Sequence, residues 1–257
     1  DRQADADEQR RPDELRQPQP PGVRRFGGFR RRGHRTLPTG SRAAAPSRYP
    51  LGYDVAVEEV VAVTVHPSPP ARQEGHWAPG SVLAVCAHPD DESFGLGGIL
   101  DAWARRGIPV ALLSFTRGEA STLGADEGAL ATVRAEELER AAAVLGVGRT
   151  TLMDYPDGRL SVQDPRALAA AVEALAVEVR ADTLLAFDAG GITGHPDHQR
   201  ATEAALLAGE RLGLPVVAWC LPETVATTLV AEFGVPFVGR PDIEIDLRVA
   251  VDRARQR

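Results

Sequence analysis

The sequence contains no lysine, no asparagine and only two cysteines among its 257 residues. Both cysteines, Cys86 and Cys220, lie inside apolar runs, which favours buried reduced thiols in a reducing compartment over a disulfide framework. We therefore expect a cytoplasmic protein. No apolar run approaches the roughly 20 residues that a membrane-spanning helix needs, and the N-terminus lacks the layout of a secretory signal. A membrane span is not expected.

Charge is unevenly distributed along the chain. Residues 1–50 contain 12 arginines and 6 acidic residues, whereas the rest of the chain contains 17 arginines and 30 acidic residues. An acidic body does not favour nucleic acid as a main partner. Residues 1–50 also have few large apolar side chains, so we expect a disordered Arg/Pro-rich tail. An N-terminal extension over residues 51–80 fits no single secondary structure, although Val55–Val65 is compatible with a strand.

From Ser81 onward, short apolar runs rich in β-branched residues alternate with helical stretches. Strands are predicted at Val82–Ala87, Val110–Phe115, Thr150–Met153, Thr183–Phe187 and Val216–Cys220, and helices at Gly97–Arg106, Thr132–Leu145, Pro165–Arg180 and Asp197–Leu212. Short strands that are apolar on both faces and separated by helices indicate a mostly parallel sheet with helices on both faces. We predict a Rossmann-like α/β fold in one domain over residues 81–257, with Leu247–Arg257 as a final helix.

Two polar segments directly follow predicted strands. His88-Pro89-Asp90-Asp91-Glu92 follows the first strand, and Gly194-His195-Pro196-Asp197-His198 follows the fourth. The carboxyl ends of parallel strands share one edge of the sheet, where ligands gather. Three adjacent acids at a strand end repel one another, which favours a cation beside them. Histidine and carboxylate side chains are the ligands of a catalytic zinc, so the two segments together predict a metal centre.

The residues alone leave several alternatives open. They do not tell which of Asp90 and Asp91 binds the metal and which serves as a general base. Clustered histidines and acids also suit a phosphoesterase with two metal ions, or a non-catalytic sugar- or nucleotide-binding module. The glycines of the Gly95-Leu96-Gly97-Gly98 run do not have the dinucleotide-binding spacing.

The sequence resembles the PIG-L/LmbE-like N-acetylglucosaminyl deacetylases, a family with members in mycothiol and bacillithiol biosynthesis. The resemblance covers about residues 81–221 and rests on the two polar segments and three further motifs: Phe115-Thr116-Arg117-Gly118-Glu119, Arg134-Ala135-Glu136-Glu137-Leu138 and Tyr155-Pro156-Asp157-Gly158. It implies a metal-dependent amidohydrolase that removes the acetyl group from a small-molecule N-acetylglucosaminide.

The resemblance also implies a role for each of five residues in the two polar segments. One Zn²⁺ ion per chain would be held by His88, Asp91 and His198, although other divalent transition metals are compatible with these ligands. Asp90 would be the general base that activates water. His195 would stabilise the developing oxyanion or protonate the leaving amine.

Three more residues receive roles from the same resemblance. Asp197 would hold the charge and orientation of His195. Arg134 would contact the substrate, and Asp157 would hydrogen-bond sugar hydroxyls.

Overall fold

The computed structural model describes residues 24–25, 60–66, 78–120 and 127–252. Its strands are β1 Arg24–Arg25, β2 Val60–His66, β3 Val82–Cys86, β4 Val110–Thr116, β5 Arg149–Tyr155, β6 Thr183–Phe187, β7 Val216–Pro222, β8 Gly239–Arg240 and β9 Leu247–Ala250. Its helices are α1 Asp91–Phe94, α2 Gly97–Arg105, α3 Glu127–Leu145, α4 Pro165–Val179, α5 Gly191–Gly194, α6 Pro196–Leu212 and α7 Glu223–Phe233.

The described strands form one sheet in the order β1-β5-β4-β3-β6-β7-β2-β9, with β8 beside β7. The central strands β5, β4, β3, β6 and β7 are parallel to one another. Towards the edges, β1, β2 and β9 pair antiparallel with their neighbours. The predicted Rossmann-like α/β fold with a mostly parallel sheet is confirmed.

Alternate residues of β3 face two separate core layers. Leu83 and Val85 pack in a cluster with residues of α4 and α6, whereas Val82 and Ala84 pack in a cluster with residues of α2. The strand is buried along its whole length, because helices cover both faces of the sheet. This burial explains why the strand is apolar without alternation.

Local signals set the ends of the helices. Asp164 accepts a hydrogen bond from the Arg166 N–H at the start of α4, where Pro165 is the first helical residue. This matches the cap expected from the Asp-Pro pair. Helix α6 begins in the same way with Pro196 and ends at Leu212, followed by Gly213, whose φ of 66° is left-handed.

Two parts of the C-terminal region differ from the prediction. The helix predicted over Leu247–Arg257 is wrong where the structure describes it, because β9 occupies Leu247–Ala250 and pairs with β2, Leu247 opposite Val63. Residues 253–257 lie outside the described residues. The exposure of side chains alternates along β9 with a period of two residues, as in a strand with one face in solvent. This alternation and the pairing with β2 favour a strand over a helix here. Helix α7, Glu223–Phe233, falls where the sequence predicted no helix.

The N-terminal predictions are only partly covered by the described residues. Strand β2 falls in the 51–80 segment and lies between β7 and β9, and β1 falls in the 1–50 segment and pairs with β5. The rest of residues 1–50 lies outside the described residues. The tail and the limits of the 81–257 domain stay predictions. Among the described helices, none has the length and apolar character to cross a membrane.

Candidate metal centre

The two polar segments meet at the carboxyl edge of the sheet. Asp90 and Asp91 lie where β3 leads into α1, and His195 caps α6 after β6. Strands β3 and β6 are parallel neighbours, while the chain leaves β3 towards β4 on the other side. This is a topological switch point, the place where open α/β sheets bind ligands.

Three side chains predicted as ligands converge here. His88 Nδ1 lies 3.2 Å from His198 Nε2, and His198 Nε2 lies 3.1 Å from Asp91 Oδ1. Asp91 Oδ2 lies 4.0 Å from His88 Nδ1. His198 Nε2 therefore lies next to an imidazole nitrogen of His88, which is 110 residues away in the sequence, and next to one carboxylate oxygen of Asp91.

The backbone fixes Asp91 so that one oxygen faces this point. Asp91 is buried, and its Oδ2 accepts hydrogen bonds from the N–H groups of Ala87 at 2.9 Å and His88 at 3.0 Å. Burial favours the neutral acid, but the hydrogen bond with His198 and the positive charge of the two histidines outweigh it and lower the pKa of Asp91. The carboxylate is thus held ionised, with Oδ1 towards the histidines.

The orientation of His198 is set from its other nitrogen. Nδ1 lies 3.2 Å from the carbonyl oxygen of Gly191. A carbonyl can only accept, so Nδ1 must carry the hydrogen. In the neutral ring, Nε2, which faces His88 and Asp91, then has the lone pair that a metal ion needs. The hydrogen bond of Nε2 with Asp91 belongs to the doubly protonated ring, and a metal ion would take the place of that proton.

The donor set fits a divalent transition metal. With zinc–ligand distances of about 2.0–2.1 Å, two ligands of a tetrahedral ion lie roughly 3.3 Å apart. The distances of 3.2 Å and 3.1 Å at His198 Nε2 are of that size. Nitrogens of His88, His195 and His198 also lie within 4.8 Å of one another, so His195 borders the same point. Two nitrogens, one carboxylate oxygen and a neighbouring imidazole suit zinc-type chemistry.

The second nitrogen of His88 faces two carboxylates. Nε2 lies 3.0 Å from Asp157 Oδ1 and 3.4 Å from Asp197 Oδ2. Among the described residues, neither this nitrogen nor Asp197 Oδ2 has a hydrogen bond of acceptable geometry, although both are buried. Burial opposes charge on the ring, but Asp157, Asp91 and Asp197 outweigh it and raise the pKa of His88 to about 9.

Asp90 lies beside the centre with an unusual backbone. Its φ is 120°, outside the regions that a residue with a side chain normally adopts, and such strain clusters at functional sites. Its Oδ2 accepts a hydrogen bond from Arg134 Nη1 at 3.0 Å. Partial burial and the nearby Asp91 raise the pKa of Asp90, and Arg134 opposes that rise. A carboxylate with a raised pKa suits general base chemistry.

His195 is held in one tautomer. Its Nδ1 accepts the backbone N–H of Asp197 at 3.3 Å, so the hydrogen of the neutral ring belongs on Nε2. Burial and the positive charge of His198 and His88 lower the pKa of His195. The ring is therefore neutral at neutral pH and presents an N–H donor.

The remaining predicted residues lie in the site with partners inside the protein. Arg134, expected to contact substrate, pairs with Asp90 and also lies 3.9 Å from Glu137. The Asp157 carboxylate faces His88 and accepts the Ala120 N–H at 2.9 Å through Oδ2. The Asp197 carboxylate accepts the Leu160 N–H at 3.0 Å and faces His88. The predicted roles of these three residues stay predictions.

Glu92, the third acid of the first motif, has a local structural use. Its Oε2 accepts the Asp90 N–H at 2.9 Å and its Oε1 accepts the Ser93 hydroxyl at 2.7 Å. The carboxylate thus closes the turn that leads into α1. Of the three adjacent acids in this motif, Glu92 is explained by its hydrogen bonds in the turn, and a cation is needed to explain only the other two.

Sequence reasoning missed two acids near the centre. Glu119 accepts the Asp157 N–H at 2.9 Å, and its Oε2 is buried with no hydrogen bond among the described residues. Asp188 is 2% exposed at the end of β6 and accepts a hydrogen bond from Arg240. A lone acid directly after a buried strand was the available signal for Asp188.

The described residues thus combine a Rossmann-like α/β fold with a cluster of histidines and carboxylates at its topological switch point, where a metal ion could bind. Residues 83–208 match the family described as PIG-L: GlcNAc-PI de-N-acetylase. This segment is a PIG-L family domain, and the resemblance seen in the motifs is confirmed.

Similar proteins extend the comparison. The chain is 32% identical over 197 residues to a 1D-myo-inositol 2-acetamido-2-deoxy-alpha-D-glucopyranoside deacetylase of Kineococcus radiotolerans, covering 65% of this chain and 55% of that protein. It is 32% identical over 128 residues to a probable N-acetyl-alpha-D-glucosaminyl L-malate deacetylase 2 of Bacillus anthracis, covering 48% of this chain and 56% of that protein. The chain thus spans a little over half the length of these curated relatives.

Among solved structures, the chain is similar to an N,N'-diacetylchitobiose deacetylase from Pyrococcus horikoshii in complex with its inhibitor MPG. The TM-score is 0.50 at 25% identity, and the match covers 66% of this chain and 61% of that one.

Proposed function

We propose that this protein is a zinc-dependent hydrolase that removes the acetyl group from an N-acetylglucosamine-type amino sugar. The observation that carries the proposal is the convergence of His88, Asp91 and His198 beside Asp90, a carboxylate with a raised pKa. The names of the relatives support the substrate class, because each of those reported is a deacetylase of a glucosamine derivative.

His88 Nδ1, Asp91 Oδ1 and His198 Nε2 would hold the ion. A bound zinc ion supplies a water of lowered pKa, towards about 7, and polarises the amide carbonyl. The protein's contribution would be to keep His198 Nε2 next to His88 Nδ1 and Asp91 Oδ1 and to hold His198 in the tautomer that exposes Nε2. One ion per chain is expected.

Asp90 is the proposed general base. It takes the proton of the attacking water and can return it to the amine nitrogen as the amide C–N bond breaks, giving acetate and the free amino sugar. The raised pKa makes the carboxylate a better base. Arg134 holds its Oδ2 in place and limits the rise in pKa.

His195 is the proposed oxyanion donor. Its Nδ1 is occupied by the Asp197 N–H, which leaves Nε2–H to hydrogen-bond the carbonyl oxygen as negative charge develops there. A preorganised donor of this kind contributes about 3–4 kcal/mol to stabilising the transition state. The reaction then needs no covalent bond between enzyme and substrate.

The substrate is proposed to be a small-molecule N-acetylglucosaminide. Arg134 and Asp157 border the centre on the side of the β4 and β5 loops. Hydroxyl groups of a sugar can hydrogen-bond both side chains while the acetamide faces Asp90. The predicted substrate contacts of these two residues belong to this proposal.

Acetate release tests the function. The zinc-loaded chain is incubated with a panel of N-acetylglucosaminides, and Asp90→Asn is compared with Asp154→Asn, a surface acid paired with Arg117. We expect Asp90→Asn to lower kcat by about 10²–10⁴-fold with one zinc still bound, and Asp154→Asn to remain active. Near-normal turnover by Asp90→Asn would refute the base assignment.

Two other results would replace the proposal rather than adjust it. Two metal ions per chain with hydrolysis of a phosphate ester would favour a phosphoesterase. Tight binding of the sugars by the zinc-loaded chain without acetate release would favour a binding module.

A further inference from the structure

The Val238–Arg240 segment crosses the loop that precedes His195 and His198. Its Val238 N–H donates to the carbonyl oxygen of Ile192 at 2.6 Å, and its Arg240 Nε donates to Asp188. Strand β8, within the segment, runs parallel to β7. The segment therefore connects the carboxyl end of β7 to the loop.

Close packing fixes the segment in this position. A Cβ on Gly239 would lie 2.6 Å from the Glu223 Cα, so only glycine lets β8 approach α7. A Cβ on Gly190 would lie 2.6 Å from Val238 Cγ1. The Val238 side chain thus packs directly against the backbone of the loop at Gly190.

Asp188 ties the loop to the segment through several atoms. Its Oδ1 accepts the Gly190 N–H at 3.0 Å, and its carbonyl oxygen accepts the Gly191 N–H at 2.9 Å. Its other carboxylate oxygen accepts the Arg240 guanidinium. Because Asp188 is buried, its charge needs this partner.

The loop cannot hold its conformation through local preference. Ile192 has φ 64° and ψ −59°, which is strained for a β-branched residue. Such a conformation persists only when surrounding contacts impose it. The hydrogen bond from Val238 acts on the carbonyl of this same residue.

The neighbouring carbonyl determines the orientation of His198. Gly191 immediately precedes Ile192, and its oxygen accepts His198 Nδ1–H at 3.2 Å. A shift of the Ile192 peptide therefore moves the group that keeps Nε2 aimed at His88 and Asp91. The contacts run without interruption from Arg240 to the candidate metal centre.

We propose that Val238, Arg240 and Asp188 are positioning residues for the metal ligand His198. They impose the strained turn at Ile192 and thereby place the Gly191 carbonyl on His198 Nδ1. This role rests on the proposed metal centre. Partners that orient a metal-bound histidine generally contribute strongly to metal affinity.

Metal affinity of the full chain tests the role. Zinc dissociation constants are measured by competition with a chromophoric chelator, and the visible spectrum of the Co²⁺-loaded protein reports the ligand geometry. We expect Arg240→Gln to weaken zinc binding by about 10–100-fold and to change the Co²⁺ spectrum. The control Arg248→Gln removes an exposed ion pair with Asp242 and should behave as the wild type.

A second variant avoids leaving the Asp188 charge unpaired. Gly190→Ala keeps every charge but presses a methyl group against Val238, and should weaken zinc binding in the same direction. Melting of the metal-free variants separates folding from positioning. Wild-type zinc affinity and Co²⁺ spectrum in either folded variant would overturn the positioning role. A wild-type chain that binds no divalent ion would instead overturn the metal centre, and the role with it.

Discussion

The metal-free protein should lose stability as the pH rises from about 6.5 to about 9, because His88 then loses a proton that the fold binds tightly. Burial alone would lower the pKa of His88, but the carboxylates of Asp157, Asp91 and Asp197 raise it from 6.5 to about 9. Nε2 is 3.0 Å from Asp157 Oδ1, so the attraction is direct.

The sign and size of the effect follow from linkage. A pKa raised in the folded state means that the folded protein binds the proton more tightly than the unfolded chain. The stabilisation is complete below 6.5 and is lost as the pH passes through about 9. Each tenfold change in proton affinity is worth 1.36 kcal/mol, so the loss across this window is of the order of 3 kcal/mol.

Urea denaturation in the presence of a chelator measures this loss. The free energy of unfolding is determined at several pH values between about 6 and about 9.5. His88→Gln removes the titrating group and should flatten the profile in this window. His66→Gln changes a histidine at the end of β2 and should keep the wild-type slope. A wild-type profile that is flat or rises from 6.5 to 9 would refute the placement of His88 among these carboxylates.

Two further changes test the base and the turn. Arg134→Gln removes the charge that lowers the pKa of Asp90, so the acid limb of the kcat/KM profile should move to higher pH, whereas Arg140→Gln on the exposed side of α3 should leave it in place. Gly191→Ala combines a φ of +63° with a contact of 2.8 Å to the Gln199 Cγ, and should destabilise more than Gly213→Ala. Gly213 has φ +66° and nothing within 4 Å of an added Cβ. Backbone strain alone should therefore lower the free energy of unfolding of Gly213→Ala, by about 1–2 kcal/mol in urea denaturation.

The sheet and the edge that carries the centre could be predicted because their signals are local. Uninterrupted apolar runs such as Val82–Cys86 indicate buried parallel strands, and Pro196 next to His195 marks a helix start. The resemblance then separated Asp91 from Asp90 as the predicted ligand. In the structure, Asp91 differs from Asp90 because its Oδ2 accepts hydrogen bonds from two backbone N–H groups. Two neighbouring aspartates look alike in the sequence, so this difference could not be predicted from it.

Pairings across the chain could not be predicted in the same way. Arg134 reaches Asp90 over a separation of 44 residues, and Arg240 reaches Asp188 over 52 residues. Arginine is usually an exposed residue, so the sequence around Arg134 and Arg240 gives no sign of a distant acidic partner. Only the fold brings each arginine next to its aspartate. The prediction of helix at Leu247–Ala250 was wrong for a related reason, since these residues pair with β2 as a strand.

The carboxylates around His88 act on both of its nitrogens. Asp157 and Asp197 lie at Nε2, and a carboxylate there favours the proton on that nitrogen, which leaves the Nδ1 lone pair for a metal. The same carboxylates raise the pKa of His88, so in the metal-free protein a second proton occupies Nδ1. A metal ion must displace that proton before it can bind. The pH at which the metal-free fold is most stable therefore lies below the pH at which the centre is best prepared for its ion.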